Sequence, residues 1–306
     1  EKGMPESGSL NIQGGLMRSC NPWFYEIGYQ LYEEGFTQLI ADTARDFGLG
    51  TETGIIGLPE SSGNITNPDD ITTGGTGVFN SVQQGIGQSE ILITPLQAAA
   101  YVAAIGNGGT LFTPFLIDHI EDYSGNIIEQ FEPQINGTLP LSQENLEIIQ
   151  NAMWMVTKDP SGTAARLLRN FPLAVYGKTG TAQTSDANSP PHAWFIGYSD
   201  VQNEDVPDIA VAVIVEFAGD GSEFAAPIFR RIVEAYFYST PTRLYAWENQ
   251  IGWVDPYYFN PEQACEDDPA GDDCKYHVDT VCAEDPNSED CATYTEIYET
   301  ALEEQE

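Results

Sequence analysis

Positive charge is the scarcest property of this sequence. Its 306 residues include 11 Lys plus Arg against 47 Asp plus Glu, a formal net charge of −36. A field of that sign repels phosphate backbones and anionic lipid surfaces, so nucleic-acid binding and adsorption to acidic membranes are excluded, and partners should be neutral, cationic or small. Long apolar runs are also missing. No stretch approaches the ~18 apolar residues that a membrane span needs, and Glu1-Lys2-Gly3-Met4 opens no signal-peptide core, so the chain itself is expected to be soluble. Cysteine is sparse at five residues, four of them gathered towards the C-terminal end. What is present, an apolar fraction of 41% over this length, suits one large buried core with an appendage.

Periodicity and punctuation divide the chain. Helices are expected over 23–34 and 36–47, the second stopping at Gly48 and Gly50. Residues 51–90, rich in Gly, Thr, Asn and Pro, read as a loop that wraps the surface near a site. Thr94 as N-cap and Pro95 in the first turn open a buried helix, LQAAAYVAAIGN, which Gly108-Gly109 ends. A hairpin is expected around Ser124-Gly125-Asn126. Ser142 then caps QENLEIIQNAMWMVTK, where Leu146, Ile149, Met153 and Val156 recur at helical spacing. Strand-like runs at 173–184, 192–199 and 208–217 suit an antiparallel meander, closed by a helix over 225–237. The fold class is therefore α/β in the α+β sense, with helices against an antiparallel sheet.

Composition places one domain over 1–240 and an acidic, Cys-containing tail over 241–306. The tail holds a small repeat, CEDDPAGDDC at 265–274 and CAEDPNSEDC at 282–291. Equal spans with a central turn favour two local disulfide loops, Cys265 with Cys274 and Cys282 with Cys291, although four cysteines allow three connectivities. Paired cysteines would imply an oxidising compartment. Zinc or calcium is the competing reading, but the spacing matches neither paired CxxC nor an EF-hand, so no metal or other cofactor is expected.

Two short motifs carry the chemistry. The first is Lys178-Thr179-Gly180-Thr181, at the end of an apolar strand. Lysine at a strand end is usually solvated decoration. Here it is one of four lysines, beside two hydroxyls and a bare glycine, on a strand edge that could take an extended peptide by β-augmentation. Lys178 would offer charge to a carboxylate, Thr179 and Thr181 hydroxyl donors, and Gly180 close approach for an acyl group. The second motif is Ser19-Cys20-Asn21. Taken alone it reads as a helix cap, since Ser and Asn are capping residues and Pro22 suits a first turn.

Their order, with what lies between, is more specific. GIGQSEILITPLQAAAYVAAIGNGGTLFTP at 85–114, TGIIGLPES, YGKTGTAQ with HAWFIGY, and APIFRRIVEAYF resemble the transpeptidase domain of class B penicillin-binding proteins over roughly residues 10–237. Serine acyl-transferases of this kind carry Ser-x-x-Lys, Ser-Asp-Asn and Lys-Thr-Gly in order, and variants of the last two are present. The resemblance implies an acyl-enzyme mechanism on the D-alanyl-D-alanine end of cell-wall stem peptides, with β-lactams as mimics. It assigns proton relay to Ser19, contact with the acyl donor's amide to Asn21, site electrostatics to Lys178, and carboxylate binding to the hydroxyls of Thr179 and Thr181. The Thr181 N–H becomes one of two oxyanion donors. It also implies an extracytoplasmic, membrane-anchored parent and a glycosyltransferase partner.

The motif that should come first is missing. The residues three before Lys158, Lys178 and Lys275 are Met155, Val175 and Asp272, and Lys2 has none. No Ser-x-x-Lys exists in this chain, so the nucleophile is expected upstream of Glu1 and the chain alone is expected to be inactive. A β-lactamase-like hydrolase and a non-catalytic binding module are the alternatives. Cys20 in place of Asp and the Thr94-Pro95-Leu96-Gln97 segment argue against the hydrolase.

Overall fold

The computed structural model describes residues 9–72, 75–184, 186, 188–203, 206–239, 265, 269, 274, 278, 282 and 289–303. Helix α1 (Ile12–Met17) carries two adjacent glycines, poor helix formers that hide it from apolar periodicity. Asn11 caps it by accepting the Gly14 N–H at 2.9 Å. Gly15 also makes room for a ring: a Cβ there would lie 3.1 Å from Trp23. Trp23 belongs to α2 (Asn21–Glu33) and donates its indole N–H to Leu10 O at 3.2 Å. Helix α3 (Leu39–Asp46) starts later than the expected span.

The segment expected as loop is partly regular. It holds β1 (Asn64–Ile65), a 3-10 turn over Pro68–Asp70, and α4 (Gly77–Gln84), capped by Thr76. The buried face of α4 is polar. Asn80 donates to Pro68 O at 3.1 Å, Ser81 to Gly28 O at 2.9 Å and Gln84 to Thr66 O at 2.6 Å. A search for apolar periodicity misses a helix whose inward side chains are amides and a hydroxyl. Helices α2 and α4 touch almost backbone to backbone, since a Cβ on Gly28 would meet Ser81 O at 2.6 Å.

After β2 (Ile91–Leu92), which pairs antiparallel with β1, comes α5 (Pro95–Gly106). Its capping box joins Thr94 and Gln97, and it buries Ala98, Val102, Ala104 and Ile105. Strand β3 (Thr110–Thr113) pairs with β6 (Gln134–Thr138), and β4 (His119–Glu121) with β5 (Ile127–Gln130) around the expected turn. Helix α6 (Gln143–Lys158), capped by Ser142, buries Leu146, Met153 and Val156, with Ile149 packed against the same cluster. A short α7 (Ala165–Leu168) leads to the meander of β7 (Val175–Ala182), β8 (His192–Ser199) and β9 (Ala210–Val215), ordered β7-β8-β9 and antiparallel throughout.

Side chains alternate across this sheet. On one face α5 and α6 pack in a cluster with Val102, Ile105, Leu146, Met153 and Tyr198. On the other, Phe195 meets Phe229 of α8 (Ala225–Tyr238), ring centroids 4.6 Å apart. The architecture is thus mixed helix and antiparallel sheet. Among the described residues no helix is long and apolar enough to cross a membrane.

The chain divides into two compact units, Glu1–Arg230 and Arg231–Glu306, a division that falls before the compositional boundary at 240. In the second unit the disulfides are Cys265–Cys274 and Cys282–Cys291, the local pairing that the repeat favoured. Cys265, Cys274 and Val278 form a small cluster against which Cys282 and, from α9 (Glu289–Glu303), Tyr294 and Tyr298 pack. Apart from Pro269, Glu289 and Asp290, the residues between the paired cysteines lie outside the described residues, as do residues 240–264.

Candidate active site

Ser19 owes its position to how α1 ends. Arg18 is the C-cap, Ser19 N–H donates to Leu16 O at 3.1 Å and Cys20 N–H to Gly15 O at 3.0 Å, the two bonds of a Schellman motif. The residue after the cap in that motif is left-handed and usually glycine. Ser19 takes it with φ of 50°, an arrangement that costs a non-glycine residue about 1 kcal/mol. The cap reading of this motif is set aside by the geometry. The N-cap of α2 is Cys20, which makes no side-chain capping bond, and Asn21 is the exposed first residue of the helix. Ser19 Oγ is therefore available, and Lys178 takes it.

Lys178 Nζ donates to Ser19 Oγ at 2.8 Å, across 159 residues of sequence, and to Thr179 O at 2.8 Å. Lys178 faces the α5/α6 side of the sheet, two residues beyond Tyr176. Burial pushes its ammonium down to about 8, a shift that the charge of Asp220 opposes. A lysine so placed is mostly charged at neutral pH but close enough to its midpoint to exchange a proton with a hydroxyl partner.

The two threonines differ. Thr181 is exposed, and its carbonyl accepts from Gln88 Nε2 at 3.2 Å. Thr179 is buried at 8% exposure, and its hydroxyl lies 2.7 Å from that of Thr163. Thr163 is fixed by the turn that ends α6, where a Cβ on Gly162 would strike Met155 O at 2.3 Å. Gly180 pairs with Trp194, and a Cβ on it would meet Trp194 Cβ at 3.0 Å. Its backbone is also approached from within the protein: a Cβ on Gly221 would come within 2.4 Å of Gly180 O. The loop Gly219–Ser222 therefore lies on the end of β7 and carries Asp220 towards Lys178.

The fold thus brings Ser19 to Lys178 and sets Thr179, Gly180 and Thr181 along the same strand, with Asn21 two residues from Ser19. Reading the sequence missed Gln88, Thr163, Asp220 and Gly221. Only the run Gly219-Asp220-Gly221-Ser222 offered a signal, a glycine pair around an acid between a strand and a helix. No group of three or more metal-ligating side chains occurs among the described residues.

A family model for the penicillin-binding protein transpeptidase domain matches residues 2–234, and the chain belongs to that family, in its class B branch. It is 29% identical over 255 residues to the peptidoglycan D,D-transpeptidase MrdA of Haemophilus influenzae, covering 75% of this chain and 36% of the relative. It is 33% identical over 261 residues to penicillin-binding protein H of Bacillus subtilis, covering 77% and 35%. Among solved structures, penicillin-binding protein A of M. tuberculosis, as a ceftriaxone acyl-enzyme complex, matches with a TM-score of 0.60 at 25% identity over 76% of this chain and 50% of that one. A chain from a peptidoglycan synthase complex that coordinates polymerization and crosslinking gives 0.63 at 27% identity, over 74% and 37%. The chain spans about a third of the length of the two curated relatives described.

Proposed function

We propose that this chain is the substrate-holding part of a peptidoglycan D,D-transpeptidase that works through a serine acyl-enzyme on D-alanyl-D-alanine stem peptides. Its nucleophile would lie in a Ser-x-x-Lys segment upstream of Glu1. The observation that carries the reading is the 2.8 Å contact of Lys178 Nζ with Ser19 Oγ, which joins two motifs far apart in sequence where a cap would have been the ordinary use of Ser19.

In this reading the nucleophilic hydroxyl adds to the penultimate carbonyl and the terminal D-alanine leaves as an amine, taking a proton relayed through Ser19. Lys178, near its midpoint, returns a proton to Ser19 and sets the positive potential of the site. Thr181 supplies one oxyanion donor through its N–H, and the loss of such a donor typically costs ~2.7–4 kcal/mol of barrier. Its exposed hydroxyl meets the terminal carboxylate. Thr179 adds its own hydroxyl only if it turns from Thr163. Asn21, exposed and beside Ser19, contacts the donor's amide. β-Lactams would acylate the same serine, and the M. tuberculosis relative was solved as a ceftriaxone acyl-enzyme complex. The substrate places the reaction outside the cytoplasmic membrane, with an anchored parent, and the synthase complex among the structural neighbours supports a glycosyltransferase partner.

The test is the rate at which a fluorescent penicillin labels the protein carrying its upstream segment. Ser19→Ala and Lys178→Ala should each slow labelling by about 10²- to 10⁴-fold, the usual worth of positioned acid–base groups. Labelling at the wild-type rate in both variants would remove these residues from the mechanism.

A further inference from the structure

A cavity of about 360 Å³ opens beside the start of β7, towards the end of the strand opposite Thr181. Three rings wall it. Trp154 and Tyr176 have centroids 5.2 Å apart, and Tyr176 stacks on Tyr198 at 4.8 Å with an interplanar angle of 8°. Gly106 makes the stack fit, since a Cβ there would come within 2.8 Å of the Tyr198 ring. Tyr176 is stacked on one face by Tyr198 and its hydroxyl is hydrogen-bonded to Asp200, so it offers the cavity chiefly an apolar edge.

Two carboxylates, Glu147 and Asp200, line the same cavity. Glu147 accepts from Gln143 Nε2 at 3.1 Å and Asp200 from Gln202 Nε2 at 3.2 Å, but among the described residues neither has an ionic partner. The nearest cation on that helix, Lys158, sits over Trp154 at 5.5 Å from the ring centre, with its ammonium committed to Leu168 O at 2.9 Å and Phe171 O at 2.7 Å. Burial raises both tyrosines above the usual phenol range, and the negative charge of Asp200 adds to it, so the field in the cavity is negative.

A solvated acidic surface would explain Glu147 and Asp200 separately. It does not explain an open, ring-lined cleft that holds two carboxylates without an ionic partner and a glycine that makes space for its innermost ring. We propose that this cavity binds an organic ammonium, such as the basic side chain of a peptide, with the amine head on Glu147 and Asp200 and its methylene stem against the rings of Trp154 and Tyr176. Two carboxylates without a third metal-ligating side chain favour an ammonium over a metal ion. The proposal is independent of acyl transfer and can be tested on this chain as it stands.

Calorimetric titration with n-butylammonium should give saturable binding, and n-butanol of the same shape should give none. Glu147→Gln and Asp200→Asn should each weaken binding by about three- to fivefold, and the double substitution by about tenfold or more. In wild-type protein the indole N–H resonance of Trp154 should shift on titration while those of Trp23 and Trp194 stay in place, a readout that does not depend on how the variants fold. Absence of saturable binding, equal binding of n-butanol, an unmoved Trp154 resonance, or undiminished affinity in the folded double variant would each overturn the proposal. The last would show only general attraction to a chain of net charge −36.

Discussion

Lys178 stands on a strand backed by apolar side chains, whereas Ser19 stands on a corner held largely by hydrogen bonds. The strand is supported by Phe195 and Phe229 on one face and by Val102, Ile105 and Met153 on the other. The corner depends on Asn11 capping α1, on the Trp23 indole bonded to Leu10 O, and on α2 riding against the polar face of α4. Apolar burial is non-directional and tolerates some repacking, while a hydrogen-bonded corner fixes geometry but stores less free energy. The site therefore joins a robust half to a more specified one.

Substitutions can break this contrast. The largest effect is expected from Phe195→Ala, which empties a fully buried site and should lower unfolding free energy by about 3–5 kcal/mol, measured by urea denaturation. Gly28→Ala comes next. It forces a methyl against Ser81 O and should cost about 1–3 kcal/mol, with the disturbance centred on α2 and Ser19 in amide exchange. Ser81→Ala removes one buried bond to Gly28 O and should cost about 1 kcal/mol. If Ser81→Ala proved as costly as Phe195→Ala, the two halves would not differ as described.

A further change is in pH. The folded-state pKa of Lys178, about 8, lies below its ordinary value of 10.5, so between these the unfolded chain binds more protons and stability should rise with pH. Below about 8 the lysine is charged in both states and the full cost of its burial is present. Lys178→Met should flatten the rise that this residue contributes, while Lys158, also pushed down to about 8 by burial, retains its own.

The apolar half was readable in advance. The meander, the N-cap at Thr94 and the Leu146, Met153, Val156 stripe all follow from side-chain period and caps, because their burial is apolar. The polar half was not. Helix α4 turns Asn80, Ser81 and Gln84 inward, and α1 holds two glycines, so neither shows the pattern by which a buried helix is found. The same holds within the site. Lys178 and Ser19 were found through their motifs, but Asp220, Gln88 and Thr163 reach it only because loops and turns converge in three dimensions, which spacing along the chain does not report.

The most direct test is where a penicillin adduct forms. Intact mass and peptide mapping should show one drug mass on the protein carrying its upstream segment, on a serine outside residues 1–306, and no adduct on the present chain alone. An adduct on Ser19 or any other residue of this chain, or none on the longer protein when folded, would contradict the account.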